Sequence, residues 1–166
     1  EEQHSKELLE NNGRREAPII GFDKTLWIEE ANNIENLSVN SLHDSFWRAK
    51  ISAVNLAKIK IGSEQELYFK KAVNLLESFR NGSLSVSEVF DTEQMAKLMA
   101  LRALFGSIDF DWRDIKFYYN PITSLLEPIG REVHSGRQIT HTWWIDDSIT
   151  SLAHSVDQKS FLELLY

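Results

Sequence analysis

At 166 residues the chain has room for one domain of ordinary size with a single sizeable core, which excludes a large multidomain assembly. Apolar residues at 42%, eighteen aromatics and only three prolines exclude a disordered chain, while 18 basic against 25 acidic residues, net −7, work against binding nucleic acid or an anionic membrane surface. The absence of cysteine removes disulfides, thiolate metal sites and cysteine nucleophiles, and leaves the compartment open.

The chain opens in a helical pattern, with Leu8 and Leu9 behind the polar stretch Glu1 to Glu7, and it stops in another, Phe161 to Tyr166. With no initiator Met, both ends read as cut, so the expectation is a piece of a longer polypeptide whose missing neighbour carries part of any site. No apolar run reaches bilayer-spanning length and no basic segment with an apolar core opens the chain. Asn11, Asn12 and Gly13 stop the first helix, and Ala17 to Phe22 and Thr25 to Ile28 read as short extended pieces at the edge of a sheet.

Ser63 with Glu66 three residues on is a capping box, predicting a helix from Glu64 to Arg80 whose apolar set is Tyr68, Phe69, Ala72, Leu75, Leu76 and Phe79. Asn81 and Gly82 end it. Asp91 with Gln94 repeats the device, and Met95, Leu98, Met99, Leu101, Leu104 and Phe105 form a broad apolar surface, closed by Gly106, that predicts the centre of the core. From Ile115 the period changes to two, and Ile115 to Tyr119 and Leu125 to Ile129 flank the turn residues Asn120, Pro121, Ile122, Thr123 and Ser124. A hairpin is therefore expected. No repeat or low-complexity tract divides the chain, and one domain is the simplest organisation.

The loop between Gly106 and Ile115 holds three carboxylates, Asp109, Asp111 and Asp114, with Arg113 among them. Carboxylates this close in sequence suit a divalent cation, or a proton acceptor for a hydroxyl beside a metal ligand; they suit equally a solvated loop in which Asp side chains cap turns. Glu127, Glu132 and His134 lie on or after the second strand, and a hairpin brings its outer ends, near Asp114 and Gly130, together as a two-point clamp. The five histidines show no metal-ligand spacing on a helix, and no Gly-x-Ser-x-Gly elbow is present. Arg14, Arg15, Lys58 and Lys60 read as isolated surface positions. Ile19 to Thr25 together with Trp143 to Asp147 resembles the haloacid dehalogenase phosphatase pattern, but Gly21 stands where that family has its nucleophilic Asp. Asp146 and Asp147 then read as a helix cap and first-turn acid.

Two stretches carry a closer resemblance. The first runs from Glu2 and His4 through Asn12-Gly13-Arg14 to Ile19-Ile20; the second comprises Phe90 to Leu98, Leu104-Phe105-Gly106-Ser107-Ile108-Asp109, Lys116-Phe117-Tyr118-Tyr119-Asn120-Pro121 and Leu126-Glu127-Pro128-Ile129. In order and spacing they resemble the CotH kinase family, the spore coat protein H-like atypical protein kinases, over about half of the chain. The resemblance implies an α+β fold, mainly α: a protein kinase-like helical lobe, residues 1–166, with a hairpin carrying the catalytic and metal-binding loops. It implies ATP with Mg or Mn as cofactors and a Ser/Thr protein substrate outside the cytoplasm. Asp109 then falls at the catalytic-loop Asp with Asp111 beside it, Asp114 where the family often has a metal-binding Asn, and Glu132 near the Asp that follows the second strand. Glu2 and Arg113 are the implied nucleotide contacts, and the ATP-covering lobe would precede Glu1. A catalytically degenerate binding module is the alternative, favoured by Asp114 and by Arg131-Glu132 in place of an apolar-Asp sequence.

Overall fold

Ser63 and Asp91 each open a helix in the computed structural model, which describes residues 6–32, 46–54, 59–105 and 112–130. The Ser63 backbone is extended, and its hydroxyl accepts the Glu66 N–H at 3.2 Å, satisfying a first-turn donor that has no partner inside the helix. Asp91 Oδ1 does the same for the Gln94 N–H at 3.0 Å. In chain order the elements are α1 (Lys6–Asn11), β1 (Ile19–Phe22), α2 (Thr25–Asn32), β2 (Ile51–Ala53), α3 (Glu64–Arg80), α4 (Val86–Val89), α5 (Thr92–Phe105), β3 (Lys116–Asn120) and β4 (Leu125–Ile129). The strands form one antiparallel sheet in the order β2-β1-β3-β4, so the described part is a mixed α+β fold. None of its helices is long and apolar enough to cross a membrane.

The hairpin has the predicted strands, with Tyr118 opposite Glu127 and Asn120 opposite Leu125. Its turn is held by Asn120, whose side-chain oxygen accepts the Ile122 N–H at 2.9 Å and whose carbonyl accepts the Ser124 N–H at 2.8 Å. Beyond β4, Phe90 forms a parallel bridge with Leu126, and the Asp91 N–H donates to the Leu126 carbonyl at 2.9 Å. The start of α5 is thereby tied to the sheet.

Three sequence expectations are corrected. β1 is not an edge piece: it pairs with β2 on one side and β3 on the other, and all four residues are buried, which explains a continuous apolar run instead of an alternating one. Thr25 to Ile28 is helical and not extended, because Asp23 Oδ1 accepts both the Thr25 N–H at 2.8 Å and its hydroxyl at 2.6 Å and so starts α2, overriding the strand preference of Thr, Trp and Ile. The core is centred not on α5 but between the sheet and α3. Ile20, Phe22, Phe117, Tyr119 and Leu126 meet Ala72, Leu76 and Phe79 there, while α5 adds Met95 and Leu98 and leaves Leu101 45% exposed.

Aromatic rings tie the periphery to this core. Phe22 packs edge-on against Phe46 at 5.2 Å and Trp112 at 5.9 Å between ring centres, and Phe79 against Phe90 at 4.8 Å. Arg80 ends α3 nearly buried, gripping both Glu77 oxygens and donating to the carbonyls of Phe46 at 3.0 Å and Ala49 at 2.6 Å. A charged side chain thus fastens the segment that leads into β2.

Candidate functional site

Alternation along the strands divides the sheet into two faces. The α3 side takes Ile20, Phe22, Phe117, Tyr119 and Leu126. The registers Ile19 to Tyr118 to Glu127, Gly21 to Ser52, and Lys116 to Ile129 put a different set on the second face. There Leu9 of α1 and Ala17 cover Ile19 and Tyr118, Ile129 packs against them, and Lys116, Asn120 and Glu127 add polar groups.

At the turn end of this face Glu127 is buried and fully engaged. Oε1 accepts the Asn120 amide at 2.6 Å, and Oε2 meets Arg14 Nη2 at 2.8 Å. Arg14 is therefore not the isolated surface position the sequence suggested, but the far partner of a charge inside the sheet. Beside the pair, the Tyr118 hydroxyl donates to the Arg15 carbonyl at 2.8 Å. Burial, and next the nearby Glu127 charge, raise the Tyr118 pKa above the ordinary tyrosine value. Leu9, Asn12, Gln94 and Pro128 complete the walls of a cleft of about 370 Å³ over Arg14, Tyr118 and Glu127.

At the other end charges gather around the exit of β1. The Asp23 N–H donates to the Lys50 carbonyl at 2.7 Å, continuing the β1 to β2 pairing and setting the two residues side by side. Thr25 hydrogen bonds, first from its hydroxyl and then from its N–H, hold the Asp23 carboxyl below its ordinary pKa, with Lys50 and Lys116 adding to the effect. The Lys116 stem lies across Gly21, where a Cβ would stand 2.6 Å from Lys116 Cδ, and its ammonium donates to the Arg113 carbonyl at 3.0 Å. A larger residue there would push the flexible Lys116 side chain aside and crowd the Ile115 carbonyl at 3.2 Å.

Of the residues singled out by the sequence, Arg113 and Asp114 belong to this end. The Arg113 guanidinium lies over the Trp27 ring at 3.9 Å, and Asp114 Oδ1 faces Lys24 Nζ at 3.5 Å. Lys116 pairs with Ile129, so the two outer ends of the hairpin, at Asp114 and Gly130, lie at one end of the sheet as expected. Glu127 lies elsewhere, held by Arg14 and Asn120, and is no part of a clamp at that edge. Glu2, Asp109, Asp111, Glu132, His134, Asp146 and Asp147 lie outside the described residues. Among the described residues no three acidic or histidine side chains come together as a metal would need, and Asp114 is the one member of the expected ligand set within them. The two antiparallel neighbours of β1 do not fit the parallel sheet of a haloacid dehalogenase.

Sequence reasoning gave Asp23, Lys50 and Lys116 no site role and read Gly21 only as a departure from the dehalogenase pattern. A glycine inside the apolar run Ile19 to Phe22 signals close approach of another group, and the period-two strand puts Lys116 in phase with buried Tyr118; those were the available clues. Comparison with family models, curated proteins and solved structures finds no match to this chain.

Proposed function

We propose that the chain is the helical, catalytic-loop part of a CotH-like atypical protein kinase that phosphorylates Ser or Thr of a protein outside the cytoplasm. The observation that supports this most is the pairing of Lys116 with Ile129. It sets Asp114 and Gly130 at one end of the sheet, and from these two points the sequence runs back to Asp109 and Asp111 and on to Glu132. In this reading a loop base and a second acidic group that meet near those points supply the parts phosphoryl transfer requires, because that reaction depends on positioning and charge neutralisation. ATP then supplies the γ-phosphoryl group, Asp109 accepts the proton of the acceptor hydroxyl as the hydroxyl oxygen bonds the γ-phosphorus and the bridging P–O bond breaks to release ADP, and Arg113 stands at the nucleotide side. The experiment is transfer of labelled γ-phosphate from ATP, with Mg or Mn, to an acidic generic acceptor by the longest natural form of the protein. Transfer that survives Asp109→Asn sinks the catalytic assignment.

A second reading has its own support. Asp114 stands where the family often has Asn and already faces Lys24, which suits a degenerate module that binds nucleotide or a partner without transfer. Binding of ATP by a folded protein that never transfers phosphate would select this reading.

A further inference from the structure

We propose that Trp27 is a positioning residue, whose ring holds the Arg113 guanidinium in the orientation in which Arg113 meets the nucleotide. The role rests on the kinase reading for the nucleotide, while the contact itself rests on geometry. The guanidinium lies over the ring at 3.9 Å from its centre, the ring coming from α2 and the arginine from the segment just before β3.

Both partners are fixed from behind. The two bonds from Thr25 to Asp23 start α2, the Asp23 N–H ties that start to the Lys50 carbonyl, and the half-buried Trp27 ring packs against the main core. Arg113 follows Trp112, which is fully buried with Phe22 and Phe46 at 5.9 and 5.7 Å between ring centres, and Ile115, two residues on, is fully buried as well. Between those anchors the Arg113 carbonyl accepts the Lys116 ammonium at 3.0 Å. Backbone and side chain of one residue are thus held by different elements of the fold.

A half-buried stack adds little to folding, because ordering an arginine side chain costs about as much rotamer freedom as the contact returns. What the stack does set is direction. The ring takes the face of the guanidinium, and the N–H groups, which lie in its plane, are aimed as a fork at the oxygens standing at its edge. Phosphate fits such a fork through two parallel bonds. This holds whether or not carboxylates share that edge, since the stack uses only the face, and no surplus of positive charge is required.

The test uses the longest natural form of the protein with isotope-labelled arginine. Without nucleotide, the Arg113 Hε resonance is expected upfield of its ordinary position, moved by the Trp27 ring current; it should return in Trp27→Leu and stay upfield in Trp27→Tyr, which keeps a ring face. Binding of ATP with Mg is then measured on the same proteins. Trp27→Leu is expected to weaken it about two- to fivefold, the effect of one lost cation–π contact of this exposure, and Trp27→Tyr to restore most of the loss. In an Arg113→Gln protein Trp27→Leu should do nothing further, because no guanidinium is left to position; a merely structural tryptophan would weaken both backgrounds alike. Trp27→Met, which keeps apolar volume without a ring, serves if Trp27→Leu does not fold. An unshifted Hε, losses that add in full, or a Trp27→Tyr protein as weak as Trp27→Leu would each overturn the inference. The two ways of failing are distinct. A protein that shows the ring-current shift but binds no ATP removes the nucleotide reading and this role with it, whereas one that loses affinity with Arg113→Gln and ignores Trp27 keeps the reading and drops the positioning.

Discussion

Phe117 and Tyr118 are neighbours on β3, yet their side chains enter different chemistries. Phe117 meets Phe90 at 5.1 Å between ring centres within a layer of aliphatic and aromatic groups, whereas Tyr118 shares its face with a buried carboxylate, an arginine and a lysine laid along the sheet. The first face draws its stability from removing apolar area from water, which depends on volume and little on direction. The second depends on named donors and acceptors, so it is less forgiving of chemistry and more forgiving of size.

The contrast breaks most visibly at Phe117. Phe117→Ala empties the middle of the first face and should cost about 3–5 kcal/mol, enough to unfold a marginal domain, read from urea unfolding. Trp112 sharpens the rule, for its buried indole N–H finds no acceptor among the described residues. Trp112→Phe removes that orphaned donor along with some volume, so its loss in the same assay should be clearly smaller, about 1–2 kcal/mol.

On the second face, Glu127→Gln keeps the shape and deletes the charge facing Arg14. Since Arg14 remains partly in water, a loss of roughly 1–2 kcal/mol is expected, and a double cycle with Arg14→Gln should show strong non-additivity. Additive losses would mean that the pair is incidental.

The smallest effect concerns Asp23. Its folded pKa lies below the ordinary carboxylate value, so its contribution to stability is present at neutral pH and is lost as pH falls through that lowered value. Thr25→Ala removes the hydroxyl that contributes most. The Asp23 carboxyl should then titrate nearer its ordinary value, as carbon-detected NMR can show, with little change in global stability because the group is largely solvated.

Local signals made much of this legible in sequence. Ser63 with Glu66, Asp91 with Gln94, and the change to period two at Ile115 each announce an element through atoms a few residues apart. What was missed is long-range. β2 has three residues and no pattern of its own; it is a strand because Ile20 and Phe22 supply its partners some thirty positions earlier. The same holds for the candidate site. Arg113 and Asp114 were found because acidic and basic residues crowd there in sequence, while Lys50, Lys116 and Gly21 acquire meaning only once β1 lies between β2 and β3.

The contact that Phe90 and Asp91 make with Leu126 also bears on how the molecule avoids its own kind. Among the described residues β4 is the outermost strand of the sheet, and an unpaired outer rim is a template onto which another chain can add and seed fibres. Here a hydrogen bond from Asp91 occupies the rim near its start, and Pro128, which has no N–H to offer, interrupts it two residues later. One residue there fills part of the edge and another withholds a donor, and both leave fewer groups for a second chain to pair with.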